Sequence, residues 1–324
     1  MKQQKGIALI TILMLVALAT IIAATIAQRQ TNTNENTAYL IRQNQSLSYA
    51  KSAEAFVSEL LVQDAESNSK SDHLQETWAQ PLPAFPIEGG YIAGQIVDET
   101  GKFNLNSLLA DDGTPNLQTQ ALFIELLKRV GLPVDLYQAV IDWQDQDDLT
   151  IGAMGAESNY YSTLTKPYLP SNAPFHSVEE LKKVRGFEAG NFQLIEAYVT
   201  AIPLNKTKIN VNTAPAMILA SLDEGIDLKS LENEIKQKQN NLEFFENIDQ
   251  LWELPSLSKV SAEKKKIAQD NFDVKSMFYR VNIEVMLSER QRYFSSYLMR
   301  NGNSVYVYSR SLAPFISNVS KTSK

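Results

Sequence analysis

The chain has no cysteine and only two histidines, His73 and His176, among 324 residues. The first absence excludes disulfide scaffolds and thiol nucleophiles. The second leaves His73, in a polar stretch, and His176, at a helix entry, around which neither a histidine-based metalloenzyme nor a serine hydrolase triad can be assembled. Positive charge is short as well: 30 lysines and arginines face 37 aspartates and glutamates, a net charge of −7, with a pI near 5.1. A surface built to hold nucleic acid backbones needs clustered Lys and Arg, so composition argues against that class.

Against these absences stands one long apolar run. After Lys2, Lys5 and Gly6, the 21 residues from Ile7 to Ala27 carry no charge and include three threonines. As a helix they would span ~31 Å, close to the ~30 Å hydrocarbon core of a bilayer. The leading lysines should stay on the cytoplasmic side, placing the chain beyond Arg29 on the far side. A removed signal peptide also has a basic start and small residues near a cut such as Thr25-Ile26-Ala27. The run is longer than the usual ~7–15 residue core of such a signal, and the charged leader ends abruptly at Gly6. The stretch instead resembles a prepilin leader, cut between Gly6 and Ile7 with the apolar helix retained.

From Ala38 to Leu61, the residues Leu40, Leu47, Phe56, Val57, Leu60 and Leu61, with Ala50 and Ala53 between, recur at helical spacing. The spacing predicts that the membrane helix continues outward as a stalk over residues 7–65. The Thr/Asn-rich stretch from Thr31 to Thr37 has weak helix propensity, so an anchor, a polar linker and a separate amphipathic helix also fit. The polar segment around His73 and the prolines Pro81, Pro83 and Pro86 read as a linker over 66–90.

Strand patterns occur in two places. Tyr91, Ala93, Gln95 and Val97 alternate with Ile92, Gly94, Ile96 and Asp98, and Glu99-Thr100-Gly101-Lys102 reads as a hairpin turn into Phe103-Asn104-Leu105. Toward the C-terminus, Met277 to Leu287 alternates, Tyr293 to Met299 forms a second strand, and Asn301-Gly302 reads as a type I′ turn into Val305 through Tyr308. An antiparallel sheet split between residues 91–106 and 276–312 is expected, interrupted by a helical region and followed by a flexible tail over 313–324.

The interruption carries an internal repeat. Phe175, Ser177, Val178, Glu180, Leu181 and Val184 align at constant offset with Phe245, Asn247, Ile248, Gln250, Leu251 and Leu254. Phe103-Asn104-Leu105-Asn106-Ser107 likewise resembles Ile209-Asn210-Val211-Asn212-Thr213, and each precedes a helical run ending in Gly131-Leu132 or Gly225-Ile226. Two related subdomains, 107–204 and 205–275, are the natural reading. They look like helix-hairpin-helix modules, which commonly grip phosphates with hairpin amides. Here Pro133 lacks an N–H, and Asp223, Glu224 and Asp227 would repel phosphate, so a structural or protein-contact role is favoured.

The other constellation is acidic. No basic residue lies between Arg129 and Lys166, while Asp142, Asp145, Asp147, Asp148 and Glu157 are interleaved with Gly152 and Gly155. Ca²⁺ takes six to eight oxygens on a loop able to wrap it. Asp145 and Asp147 occupy the first and third places of an EF-hand spacing, but Leu149 and Thr150 break it at the fifth and sixth, and Glu157 falls one residue beyond the twelfth. A cation loop and a solvated acidic loop both remain open from the residues alone.

Together the leader, the long helix, the split sheet and the local sequences DWQDQDD, GAESNYY, HSVEELKKVRGF and INVNTAP resemble general secretion pathway protein K, the K-type minor pseudopilin of type II secretion systems. The resemblance covers essentially the whole chain. It implies an α+β fold in which a pilin-like N-terminal helix packs on a small antiparallel sheet, with a duplicated all-helical, SAM-like insertion. It further implies a non-enzymatic subunit at the tip of a periplasmic pseudopilus, anchored by one helix in the bacterial inner membrane. The implied partners are the I-type and J-type minor pseudopilins, the major pseudopilin and the prepilin peptidase, with the inner-membrane assembly platform and secreted cargo as further candidates and no nucleic acid expected. Structural Ca²⁺ in the insert is implied too, with Asp145, Asp147, Asp148 and Glu157 as its candidate ligands. Cleavage after Gly6 would place Thr11 at the fifth mature position, where most pilin-like subunits carry glutamate. A subunit with none ahead of it has no use for that charge, although threonine is also simply tolerated in an apolar helix. The competing class is a membrane-anchored helix-hairpin-helix DNA receptor.

Overall fold

A computed structural model describes residues 5–67, 70–188 and 190–312, with side chains from residue 8 onward; residues 1–4 of the expected leader and the tail over 313–324 lie outside the described residues. Helix α1 runs unbroken over Lys5–Glu66, ~93 Å at 1.5 Å per residue. The Thr/Asn stretch does not interrupt it, because Thr31 and Thr33 bond back to the carbonyls of Ala27 and Arg29 while the Gln28 amide donates to Asn32. Its apolar half is exposed along its length, whereas Ser46, Ala50, Glu54, Val57 and Leu61 form a buried stripe. Leu40 and Phe56, expected on that stripe, are exposed.

The stripe covers a five-stranded antiparallel sheet ordered β1-β2-β7-β8-β9. Strands β1 (Leu82–Ile87) and β2 (Gly90–Asp98) precede the insert, and β7 (Phe278–Leu287), β8 (Arg290–Asn301) and β9 (Ser304–Ser311) follow it. Alternation along β7 sets Tyr279, Val281, Ile283 and Val285 in one core with Ala50, Val57, Leu61 and Trp78.

Three expectations change. Residues 66–90 are not a linker: Ser71 and Asp72 are buried, Trp78 sits in the core, and β1 forms the sheet edge. Pro83 and Pro86 are tolerated there because an edge strand leaves N–H groups unpaired. Phe103-Asn104 does not return along β2. It forms β3 (Phe103–Asn104), paired in parallel with β4 (Val199–Thr200), while β2 pairs with β7. The chain diverges because Glu99 is buried against Lys102 and Arg280, and Gly101 packs so closely on Thr213 that a Cβ would lie 2.9 Å from its backbone. Finally, the β8–β9 turn centres on Gly302-Asn303, with Asn301 paired to Ser304. Of the central pair only Gly302 has positive φ, the requirement of a II′ rather than a I′ turn.

The insert packs around one continuous apolar core drawn from Phe103 through Val274, to which both expected subdomains contribute. Its helices are α2 (Leu117–Arg129), α3 (Leu136–Asp142), α4 (Ser158–Tyr161), α5 (Gly190–Ile195), α6 (Ala216–Ala220), α7 (Leu228–Asn240) and α8 (Ala262–Asn271). A second short parallel pair joins β5 (Ile209–Asn210) to β6 (Phe272–Asp273). Buried Asn106 donates to the Phe175 carbonyl and accepts from the Phe175 N–H at 2.7 Å. Asn212 makes the same two bonds with Phe245.

Candidate metal centre in the helical insert

The acidic loop starts where α3 ends. Asp142 is fully buried and spends its carboxylate on the backbone, accepting from Ile151 N at 3.1 Å and Ala156 N at 2.7 Å. These bonds fold residues 151–156 back over α3. Gly155 is needed at the closest approach, since a Cβ there would lie 2.4 Å from Asp142 Oδ2. The next residue but one, Glu157, is thereby carried inward and is 1% exposed.

Asp142, Asp145 and Glu157 bring one carboxylate oxygen each within 4.8 Å of one another. Both oxygens of Glu157 and Oδ1 of Asp145 are buried and accept no bond from a donor. Burial, then the negative charges of Asp142, Asp145, Asp148 and Asp147, push the Glu157 carboxyl up to about 8. Burial, with Asp142 and Asp147 beside it, pushes Asp145 up to about 6. Concentrated carboxylates at this cost are relieved by a proton or by a cation.

A second acidic triad in the same chain shows the contrast. Asp64, Asp72 and Glu76 also converge within 4.8 Å, but Arg300 reaches into them, bonding Asp64 at 2.8 Å and Asp72 as well. Among the described residues no ion pair reaches Asp142, Asp145 or Glu157. The hard oxygen donors and missing counter-charge fit a divalent cation such as Ca²⁺.

Of the four expected ligands, the structure brings Asp145 and Glu157 together and leaves Asp147 and Asp148 exposed on the outer rim. There Asp147 Oδ1 accepts from Leu149 N and Asp148 Oδ1 from Ser158 N. Asp142 joins the cluster without having been among the expected ligands. Its place at the end of α3, within the same acidic run, was the available signal.

The remaining site residues lie in α1. Gly6 and Ile7 belong to its first turn. Thr11 donates to the Ala8 carbonyl at 2.9 Å, as Thr20 and Thr25 do to Val16 and Ile21, so all three hydroxyls are satisfied within the helix. One described helix, near the N-terminus, is long and apolar enough to cross a membrane.

The hairpins of the insert are already occupied by protein. Gly225 N, an amide a phosphate would need, donates to Asp223 Oδ1 at 2.8 Å. Arg129 bonds the Asp223 carbonyl and Lys128 pairs with Glu224, both at 2.6 Å. The cations of one hairpin thus close on the turn of the other, against the DNA-receptor reading.

Family models described as type II secretion system (T2SS), protein K match residues 101–204 and 209–275. A type II secretion system protein K from Pseudomonas aeruginosa is 30% identical over 313 residues, covering 92% of this chain and 89% of that protein. The chain belongs to the type II secretion system protein K family. Another protein K, from Aeromonas hydrophila, is 34% identical over 224 residues, 65% of this chain and 68% of the relative. A chain in the crystal structure of the GspK-GspI-GspJ complex from the enterotoxigenic Escherichia coli type 2 secretion system superposes with a TM-score of 0.76. It covers 86% of this chain and all of that one, at 24% identity. That chain therefore shares its fold with 86% of this one.

Proposed function

We propose that this protein K is a non-enzymatic minor pseudopilin that assembles with I-type and J-type pseudopilins at the tip of a type II secretion pseudopilus, supporting export of folded proteins. The observation that carries the reading is α1: apolar and exposed over its first half, and packed under the sheet over its second. Such a helix can leave a bilayer for a fibre without unfolding the body. In this reading prepilin peptidase cuts after Gly6 and Ile7 becomes the methylated N-terminus. Residues Ile7 to Ala27 anchor the body on the periplasmic side of the inner membrane until assembly. Thr11 replaces the charge that a preceding subunit would neutralise, which suits a first position.

The insert is read as a duplicated unit, supported by the matching Asn106–Phe175 and Asn212–Phe245 bonds. Calcium is read as its structural ion. Asp145 and Glu157 would hold it, with Asp147 and Asp148 supplying charge from the rim and Asp142 fixing the loop; the ion would neutralise the carboxylates and order the loop.

Co-expression with I-type and J-type pseudopilins, followed by detergent extraction and affinity purification, tests the assembly. A stable ternary complex whose protein K begins at Ile7 is expected. A chain that purifies alone, or begins near Gln28, would falsify the reading.

A further inference from the structure

A cation bonds the backbone of the acidic loop and not its carboxylates. Arg185 Nη1 donates to the Gly155 carbonyl at 2.9 Å and to the Ala153 carbonyl at 3.3 Å, and its guanidinium carbon lies 4.7 Å from the centre of the Tyr160 ring. Among the described residues it forms no ion pair. Gln138 Oε1 accepts from Met154 N at 2.8 Å, and Asp142 holds Ile151 and Ala156. Three side chains outside the loop thus fix its peptides from 151 to 156, immediately before Glu157.

Resting on the calcium reading above, we propose that Arg185 is the positioning residue of the cation loop. It aims Glu157 inward by holding carbonyls, and it ties cation loading to the segment over residues 178–187. A guanidinium can do this because its Nη1 carries two N–H donors in a fixed plane, one for each carbonyl, while that plane lies over an aromatic ring. A lysine in its place would be a mobile point charge, free to swing toward the carboxylates and compete with the ion.

Charge and positioning predict opposite signs. If Arg185 acted only as a nearby positive charge, removing it would tighten cation binding by relieving repulsion. As a positioning residue, its loss should weaken binding about tenfold, the lower end of the effect for groups that orient ligands. The test is calcium titration by calorimetry on the full chain in detergent micelles, with amide exchange followed over residues 178–187. Arg185→Met and Arg185→Lys should both weaken binding about tenfold, and calcium should slow exchange over 178–187 in the wild type but not in these variants. Gln138→Met, which removes a different hold on the same loop, should weaken binding in the same direction. Binding by Arg185→Met and Gln138→Met as tight as wild type, while Glu157→Gln abolishes it, overturns the positioning role alone. No binding by the wild type overturns the calcium reading beneath it.

Discussion

Arg310 on β9 closes on Glu54 in the middle of the buried stripe of α1, with Nε and Nη2 each 2.8 Å from a different carboxylate oxygen. Ser296 donates to the same carboxylate from β8. Burial would raise the Glu54 carboxyl, but the bonds from Arg310 and Ser296 and the Arg310 charge outweigh it and hold the group below its usual range. This pair therefore joins the last strand of the sheet to the helix that the rest of the fold hangs from.

Removing Arg310 leaves a buried carboxylate with one hydroxyl donor. Arg310→Met should cost about 2 kcal/mol, the scale of leaving a buried charged acceptor underpaired. Glu54→Leu combined with Arg310→Met should recover most of that loss, because the stripe around Glu54 is apolar. Urea unfolding of the four-member cycle measures both. Since the Glu54 carboxyl is held low, its contribution is present above about pH 4.5 and disappears as acid protonates it.

Asp98 behaves in the opposite sense. It is buried at the junction of β2 with the insert, accepting from Thr213 and Ser276 hydroxyls at 2.5 Å and from Thr100 N at 2.8 Å. Burial outweighs these bonds and pushes it up to about 6 from 3.8. Between those values the unfolded chain loses a proton that the folded chain keeps, so stability falls as pH rises through that window. The Asp98→Asn chain should lose this dependence, worth on the order of 2 kcal/mol between about pH 4 and 6. Chemical denaturation across that range, with a chelator present, gives the two slopes directly.

The β7–β8 turn is held in an unfavourable conformation. Leu287 pairs with Arg290, so Ser288 and Glu289 form the two-residue loop, with φ of 49° and 64°. Both angles are those of a type I′ turn, which favours Asn-Gly. The double change Ser288→Asn and Glu289→Gly should stabilise the fold by about 1 kcal/mol. An unchanged or lower urea midpoint would contradict that account of the turn.

Elements marked by short-range chemistry were legible in the sequence. The apolar run after Gly6 announced α1, and Asn106 and Asn212 stood at matching points of the repeat. Asp145 and Glu157 were legible as charge without counter-charge. What escaped depended on contacts far apart in the chain. Prolines hid β1, because only its place at the sheet edge excuses Pro83 and Pro86. Glu54 interrupted an apolar stripe and is explained by Ser296 and by Arg310, 256 residues later. Asp142 read as one more acid in a run, since its role depends on Ile151 and Ala156 folding back to meet it. The rim positions of Asp147 and Asp148 follow from that same fold-back.

On the calcium reading, the geometry of those carboxylates would make the ion and protons competitors. Without a cation, Glu157 with a value near 8 keeps its proton at neutral pH, and Asp145 loses its own only near 6. Ligation requires both to be ionised, so binding must release protons and strengthen as pH rises. The calcium-induced increase in melting temperature should therefore be small at pH 5 and grow steadily to pH 8. Calorimetry in buffers of different ionisation enthalpy should report net proton release near pH 7. Glu157→Gln should abolish the increase, whereas Asp147→Asn and Asp148→Asn, on the exposed rim, should reduce it only several-fold in affinity. If the rim variants lose calcium as completely as Glu157→Gln does, the ion sits further out than the buried oxygens indicate.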